Sequence, residues 1–183
     1  MSRLFTRRLV IRPIERADLG SLVAWYSDPE LIRHIGDGRA YSERETELAL
    51  VAHIEQTARD GFGLMLAERR DDGVPIGRVG YKQWDLDGEP QLEIGWLVAA
   101  EHQGMGYATE AGIAIRDHGF RHLDRTELVS LIQHDNTVSR RVAEKVGGCW
   151  WRDWTTPGGS DVVVYRYARD RFRSGHGDVD HDG

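Results

Sequence analysis

The chain has 183 residues, of which 40% are hydrophobic and 30% are charged. This length corresponds to about one domain at roughly 100 to 200 residues each, and the apolar content is too high for an intrinsically disordered protein. Twenty-four Lys and Arg against 30 Asp and Glu give a net charge of −6, which argues against a protein that binds nucleic acid by phosphate neutralisation and mildly favours a cationic or amine-bearing partner.

The first half of the chain predicts two helices and a series of strands. An extended, β-rich segment covers 4–14, and apolar residues repeat over 17–26 at the spacing of one helix face. Ser42 followed by Glu45 is a capping-box signature, which predicts the start of a second helix. Strands are predicted over 63–69, 74–84 and 91–98, the first two joined by the Asp71-Asp72-Gly73 turn.

The second half of the chain alternates strands with helices before a closing hairpin. A Gly-rich loop over 103–108 leads into a predicted helix at 109–120. A β-branched strand over 126–132 is followed by a capping-type turn and a short helix at 138–146. The segments 150–155 and 162–168 are predicted to pair as antiparallel strands around a Pro-Gly-Gly turn.

This order of elements predicts a single domain of the α/β (α+β) class with a mixed sheet. We assign the domain to residues 1–172. Residues 173–183 lack hydrophobic periodicity and contain Asp178, Asp180 and Asp182, so we expect them to form a flexible acidic tail.

The chain carries a single cysteine, Cys149, and no long apolar run. An intrachain disulfide and a multi-cysteine zinc site are therefore excluded. Arginines interrupt the apolar residues of the N-terminal segment, which lacks the apolar region of a signal peptide. The apolar stretches 48–54 and 95–100 are too short to cross a bilayer. We expect a cytoplasmic protein that does not bind membranes.

The Gly-rich loop has the chemistry of an anion-binding turn. It lies between a predicted strand and a predicted helix, so its backbone N–H groups and the helix N-terminus can face one anion. It is not a P-loop, because no Gly-Lys-Ser/Thr follows, and it is not a dinucleotide-binding loop, because Thr109 occupies the third glycine position. The alternative is a tight turn that only starts a helix.

The segments around the loop carry a more specific pattern. The loop contains Gln-x-x-Gly-x-Ala, the run 107–111 reads Tyr-Ala-Thr-Glu-Ala, the downstream helix opens with Asn-x-x-Ser, and the chain begins with Leu-Val-Ile-Arg-Pro at 9–13. In these motifs the chain resembles the GNAT N-acetyltransferase superfamily, and most of all its ribosomal-protein N-terminal acetyltransferase branch. The resemblance covers about residues 4–170 and implies a mixed six- or seven-stranded central sheet flanked by helices.

The resemblance implies acetyl-CoA as co-substrate and transfer of its acetyl group to a primary amine, a protein N-terminus or a small molecule, by direct attack in a ternary complex. The pantetheine arm would run beside Trp96, Leu97 and Val98, with backbone amides near Leu97 polarising the thioester carbonyl. Asn136 would contact this arm, although helix capping explains it equally well. The implied pyrophosphate-binding residues are Gln103, Gly104, Met105, Gly106, Tyr107, Ala108 and Thr109.

Glu93 is our candidate for the general base. Strand alternation places Leu92, Ile94 and Trp96 on one face and Glu93, Gly95 and Leu97 on the other, so the Glu93 carboxylate would share the side of the thioester. It could remove the amine proton directly or through a water molecule. The alternatives are that Glu93 is an ordinary exposed strand residue, that His134 is the base, and that Gly95 only makes room for Trp96.

Two positions depart from the pattern of the superfamily. Leu131 stands where some members have a Glu, and Ala143 stands where many have a Tyr that protonates the thiolate. We therefore assign the acid role to Ser139, as the ribosomal-protein branch implies, although this residue could instead only hydrogen-bond the sulfur or cap its helix. The alternative function is a catalytically inactive regulatory module that binds acyl-CoA, and a weaker one is a nucleotide-binding protein.

The acceptor side is less constrained by sequence. In this superfamily the early helices, here residues 17–59, and the closing hairpin form the acceptor pocket. Five aromatic residues are candidates for lining it or for packing in the core. We predict no metal site, since no Glu follows His118 in the His118 and His122 pair as the zincin motif requires, and we consider a homodimer possible. The five aromatic residues are Trp25, Tyr26, Tyr41, Trp84 and Trp154.

Overall fold

The structure is a computed structural model that describes residues 2–173. One eight-stranded sheet runs through the described chain, with helices against both faces. The strands are β1 (Leu4–Phe5), β2 (Leu9–Pro13), β3 (Leu64–Arg69), β4 (Pro75–Leu86), β5 (Glu89–Val98), β6 (Glu127–Gln133), β7 (Cys149–Thr155) and β8 (Asp161–Ala168). The helices are α1 (Leu19–Tyr26), α2 (Pro29–Ile32), α3 (Glu43–Asp60), α4 (Tyr107–His122), α5 (Thr137–Val146) and α6 (Asp170–Arg173).

The strands lie in the order β1-β2-β3-β4-β5-β6-β8-β7. All neighbours are antiparallel except β5 and β6, which are parallel because α4 connects them. The mixed α/β class is therefore confirmed. The sheet has eight strands rather than the expected six or seven, because the segment 4–14 folds back on itself: Leu4 of β1 pairs with Ile11 of β2.

Several element boundaries differ from the sequence-based expectations. Helix α4 begins at Tyr107, so Tyr107 and Ala108 belong to its first turn and not to the preceding loop. Strands β4 and β5 are longer than predicted because only Asp87 and Gly88, both with positive φ, form the turn between them. Helix α2 follows Asp28, whose side chain accepts hydrogen bonds from the Glu30 and Leu31 amides, and was not predicted.

The two faces of the sheet carry separate cores. Helices α4 and α5 cover one face, where Ile94 and Ile115 are fully buried. Helices α1, α2 and α3 cover the other face, where Leu22, Leu50 and Leu97 are buried. Helix α3 starts at the predicted capping box of Ser42 and Glu45. The sheet is thus enclosed on both sides, and the strand residues of each face meet a different set of helices.

The assignment of residues 1–172 to one domain stays a prediction. The expected acidic tail at 173–183 lies outside the described residues except for Arg173, which ends α6. No helix within residues 2–173 combines the length and the apolar content needed to span a bilayer.

Candidate active site

A gap opens between β5 and β6 at the centre of the sheet. Within the described chain the two strands share one register pair, Glu93 with Val129, whereas β5 pairs with β4 along its whole length. Where the pairing ends, the Ser130 hydroxyl donates a hydrogen bond to the Ile94 carbonyl over 2.6 Å. The backbone of Trp96 and Val98 points to the same side as that of Ile94, since strand residues repeat every two positions. Their amides therefore face the gap.

A cleft of about 370 Å³ lies over this gap on the face covered by α1 and α3. Glu93 and Gly95 of β5 line it, as do Asn136 and Ser139 of α5. The predicted division of β5 is confirmed: Leu92 and Ile94 pack under α4, while Leu97 packs with α1 and α3. Strand alternation alone thus places the Glu93 carboxylate in a cavity.

The Glu93 carboxylate is half-buried and held by hydrogen bonds. The Trp84 indole Nε1–H donates to Glu93 Oε2 over 2.5 Å, and the nearby Leu131 backbone N–H also favours the ionised carboxylate. Burial raises the pKa of Glu93 above its ordinary value of 4.5, and these donors and the charge of Lys82 oppose the rise without reversing it. A carboxylate with a raised pKa in a cleft is a better proton acceptor than an exposed one.

Gly95 leaves open space beside this carboxylate. A Cβ atom at Gly95 would meet only Glu93 Oε1, at 3.8 Å. Trp96 packs on the opposite face, under Gly112 of α4. Gly95 therefore does not serve to make room for Trp96. Because it has no side chain, the floor of the cleft is flat next to Glu93.

The Gly-rich loop forms the turn into α4. Gly104 and Gly106 have φ values of 75° and 82°, a conformation that favours glycine, and Gly106 is the N-cap of α4. The Gln103 side-chain amide donates to the Val98 carbonyl over 3.0 Å, which ties the loop to the end of β5. Met105 is exposed. The free amides of Tyr107, Ala108 and Thr109, at the start of a 16-residue helix, provide the positive end of its dipole.

Arg8 of the β1–β2 turn also lies at this loop, which sequence reasoning missed. Its Nη1 donates to the Met105 carbonyl over 3.0 Å, and its Nε donates to Glu110 Oε2 over 2.7 Å. The guanidinium carbon lies 4.4 Å from the centre of the Tyr107 ring. Because Arg8 and Glu110 are 102 positions apart, no local pattern could have paired them. The arginine adds a positive charge beside the helix N-terminus.

Asn136 and Ser139 occupy the first turn of α5. The Asn136 side chain caps the helix by accepting a hydrogen bond from the Ser139 amide over 3.1 Å. The capping role of Asn136 is therefore confirmed, and both residues also line the cleft. Leu131 lines it as well, whereas Ala143 is fully buried in the core under α4.

The other candidates separate into cleft and core residues. Tyr26, Tyr41 and Trp84 line the cleft, whereas Trp25 packs in the core of α1–α3 and Trp154 packs against Trp84 at 6.0 Å. His134 lies outside the Glu93 cleft, with its Nε2 3.4 Å from Asp153 Oδ1.

His118 and His122 are the two histidines of α4 that have the spacing of a metal-binding pair. His118 Nδ1 lies 2.9 Å from the Tyr81 hydroxyl, an ordinary buried polar contact. Over residues 2–173, no group of three or more His, Cys, Asp or Glu side chains has the arrangement of a metal site.

The cleft also holds three basic residues that the sequence did not single out. Arg78 and Lys82 project from β4 on the Glu93 face, and His53 projects from α3. Burial, with the charges of Arg78 and Lys82, lowers the pKa of His53 to about 4, so this imidazole is neutral at pH 7. A sequence signal existed for Arg78, since it is the one charged residue in the otherwise uncharged segment 75–81 of β4.

Comparisons with known proteins agree with this architecture. Residues 8–148 match the family model described as "Acetyltransferase (GNAT) domain". A relative from Bacillus subtilis (strain 168), "Uncharacterized N-acetyltransferase YnaD", is 30% identical over 142 residues, which are 78% of this chain and 79% of the relative.

Two solved structures extend the comparison. An acetyltransferase from Agrobacterium tumefaciens superposes with a TM-score of 0.78 and 31% identity, covering 91% of this chain and 94% of its own. RimL, a ribosomal L7/L12 α-N-protein acetyltransferase in complex with coenzyme A, shares the fold at a TM-score of 0.73 and 18% identity, with 89% and 95% covered. The chain belongs to the GNAT acetyltransferase family, as its motifs indicated, and its activity is acetyl transfer.

Proposed function

We propose that the chain transfers the acetyl group of acetyl-CoA to a primary amine, a protein N-terminus or a small molecule, by direct attack in a ternary complex. The observation that carries the proposal is the position of Glu93. Its carboxylate, with a raised pKa, lies where β5 stops pairing with β6 and faces the same cleft as the flat Gly95 floor. A proton acceptor thus lies next to strand backbone that is not paired with a neighbouring strand.

The loop and β5 would hold acetyl-CoA. The N–H groups over Gly104–Thr109 provide donors for the pyrophosphate, and the Arg8 guanidinium, which is paired with Glu110, lies beside them. The pantetheine arm would lie in the gap beside Trp96, Leu97 and Val98, with Asn136 at its other side. Because the Trp96 and Val98 amides point into the gap while the Leu97 amide points to β4, we assign polarisation of the thioester carbonyl to an amide that flanks Leu97.

Glu93 and Ser139 would handle the protons. Glu93 accepts a proton from the ammonium form of the acceptor, directly or through water, and the free amine attacks the thioester carbon. The C–N bond forms as the C–S bond breaks, and the nitrogen of the new amide releases its remaining extra proton to solvent. The thiolate takes a proton from the Ser139 hydroxyl, which regains one from solvent. Ser139 lines the cleft at the start of α5, on the side of the gap opposite β5.

The test of the base is a pair of matched variants on one strand. Glu93→Gln removes the carboxylate with little change of shape, and Glu89→Gln makes the same change at the exposed start of β5. We expect Glu93→Gln to lower kcat by about 10²- to 10⁴-fold while calorimetric binding of acetyl-CoA stays within about twofold. Glu89→Gln should retain the wild-type rate. An unchanged rate in Glu93→Gln would remove Glu93 as base.

Ser139→Ala tests the acid. If Ser139 protonates the thiolate, the variant should slow transfer from acetyl-CoA by about tenfold or more. It should slow transfer far less from an acetyl thioester with a more acidic leaving thiol, which needs no proton. Equal losses with both donors would show that Ser139 only positions the arm.

No finding favours the inactive alternative. Localisation in the cytoplasm and formation of a homodimer stay predictions, and gel filtration with light scattering tests the second.

A further inference from the structure

Arg78 is a buried arginine in the active-site cleft whose charge lacks a partner among the residues that the structure describes. Its exposed fraction is 8%, and its Nε has no hydrogen-bond partner among residues 2–173. Its guanidinium carbon lies 5.4 Å from the centre of the Tyr26 ring. No carboxylate of the described residues forms an ion pair with it. A buried charge normally requires an ion pair and hydrogen bonds.

Two other shielded arginines of the same chain show the usual arrangement. Arg12 binds Asp18 and Glu68 through ion pairs of 2.8 and 2.9 Å. Arg116, also 8% exposed, binds Asp117 at 2.6 Å. Arg78 is equally removed from solvent, yet it faces a cavity instead of a carboxylate. The cleft therefore has room for an anionic group of a ligand beside Arg78.

Of the other titratable groups of the cleft, Lys82 adds positive charge, His53 adds none and Glu93 is negative when ionised. Lys82 lies on the same face of β4, with its Nζ 4.0 Å from the centre of the Trp84 ring. His53 is neutral at pH 7. Glu93 is the carboxylate that faces these groups, and its position beside Gly95 assigns it to the reacting amine. The net charge of −6 favoured a cationic acceptor, but the local charges of the cleft favour an acceptor with a negative group.

The spacing of these residues suits a small molecule with two functional groups. Gly80 of β4 pairs with Gly95 of β5. Along the same face, the next pair in one direction is Lys82 with Glu93, and the next pair in the other direction is Arg78 with Leu97. Arg78 is two residues from Gly80, which corresponds to about 7 Å along a strand. A ligand lying over Gly95 would have its amine near Glu93 and its other end near Arg78.

We propose that the acceptor is an amine that also carries an anionic group, a carboxylate or a phosphate, which the Arg78 guanidinium binds. The proposal rests on the function proposed above and specifies its substrate class. A guanidinium binds either anion through two parallel hydrogen bonds. A plain alkylamine or a polyamine would leave Arg78 without a partner and would be a poor substrate.

Two pairs of probes test the proposal with the full chain and acetyl-CoA. Leucine is compared with 3-methylbutylamine, and ethanolamine phosphate with ethanolamine; each pair differs only in the anionic group. We expect kcat/KM of the wild type to be at least about tenfold higher for the anionic member of one pair, which also identifies the anion. Spermidine serves as the cationic probe. Equal values within both pairs, or a preference for spermidine, would overturn the proposal.

Variants then assign the preference to Arg78. Arg78→Gln should abolish it while kcat/KM for the uncharged member stays within about threefold, and Arg44→Gln, on an exposed turn of α3, should retain it. Because Arg78 has no ionic partner to lose within residues 2–173, Arg78→Met should not lower Tm. A preference that survives Arg78→Gln, or a lower Tm in both variants with an unchanged preference, would show that the arginine is structural.

A calorimetric arm separates this inference from the proposed function. If none of the amines is acetylated, the proposed function fails. The same probes are then titrated into the protein in the presence of CoA. Tighter binding of the anionic members that is lost in Arg78→Gln would still support the anion site, and equal binding within both pairs would overturn it.

Discussion

The hydroxyl of Ser130 on β6 donates a hydrogen bond to the backbone carbonyl of Ile94 on β5 over 2.6 Å, where the two parallel strands separate. The same hydroxyl lies 3.0 Å from the Tyr167 hydroxyl. A side chain thus satisfies a buried carbonyl that a backbone N–H would otherwise pair with. This contact allows β5 to leave the ladder without an unsatisfied group, and it marks the inner end of the active-site gap.

Replacing Ser130 should therefore destabilise the protein. Ser130 is 2% exposed, so Ser130→Ala leaves the Ile94 carbonyl and the Tyr167 hydroxyl without this partner and should cost about 1–3 kcal/mol in the free energy of unfolding. Urea denaturation measures it. Ser139→Ala, a partly exposed serine, is the control and should change the free energy of unfolding by less than about 0.5 kcal/mol. Similar losses in the two variants would contradict the role given to Ser130.

Gly95→Ala should separate activity from stability. The added methyl meets only Glu93 Oε1 at 3.8 Å, so the fold accommodates it, yet it occupies the cleft floor beside the base. We expect an unchanged Tm and a loss of about 10- to 100-fold in kcat/KM, because the acceptor is displaced from the reacting position. Wild-type activity in Gly95→Ala would show that no ligand approaches this strand closely.

The raised pKa of Glu93 predicts a pH dependence of activity. If Glu93 is the base, it must be ionised to act. The pH profile of kcat/KM should therefore have an acidic limb, in which activity falls with falling pH, at a pH above the ordinary carboxyl pKa of 4.5. The limb should be absent in Glu93→Gln, where kcat/KM should instead follow the fraction of the acceptor that is already the free amine. A limb that persists in Glu93→Gln would belong to another group.

The same pKa shift has a consequence for stability. The folded protein binds a proton at Glu93 more tightly than the unfolded chain does, so the contribution of this residue falls as the pH rises from 4.5 through the folded pKa. The change in the free energy of unfolding that Glu93→Gln causes should therefore be more favourable at pH 7 than at pH 4. Urea denaturation of both proteins at the two pH values measures the difference. The opposite sign would mean that Glu93 is stabilised by its donors more than it is destabilised by burial.

Arg8→Gln should weaken acetyl-CoA binding. The variant removes a positive charge and the donors to Met105 and Glu110, so KM for acetyl-CoA should rise by about tenfold with a smaller change in kcat. The neighbouring Arg7→Gln is the control, since Arg7 is exposed, and it should leave KM unchanged. An Arg8→Gln variant with wild-type KM and a lower Tm would restrict Arg8 to anchoring the β1–β2 turn on α4.

Local sequence patterns predicted the features that depend on near neighbours in the chain. Two-residue alternation placed Glu93 and Gly95 on one face of β5, the capping box located the start of α3, and the Gly-rich segment located the turn into α4. These features depend on dihedral preferences and side-chain periodicity within a few residues, so a single chain is enough to detect them.

The tertiary structure decided the features that depend on residues far apart in the chain. Ser130 meets Ile94 across 36 positions, and Arg8 meets Glu110 across 102. Whether Arg78 has an ionic partner depends on every strand and helix around it, and no local pattern contains that information. Sequence alone thus determined the family, the fold class and the face of β5 that carries Glu93. The charge of the cleft was decided by packing, because burial and pairing of a charge are properties of the assembled sheet and helices.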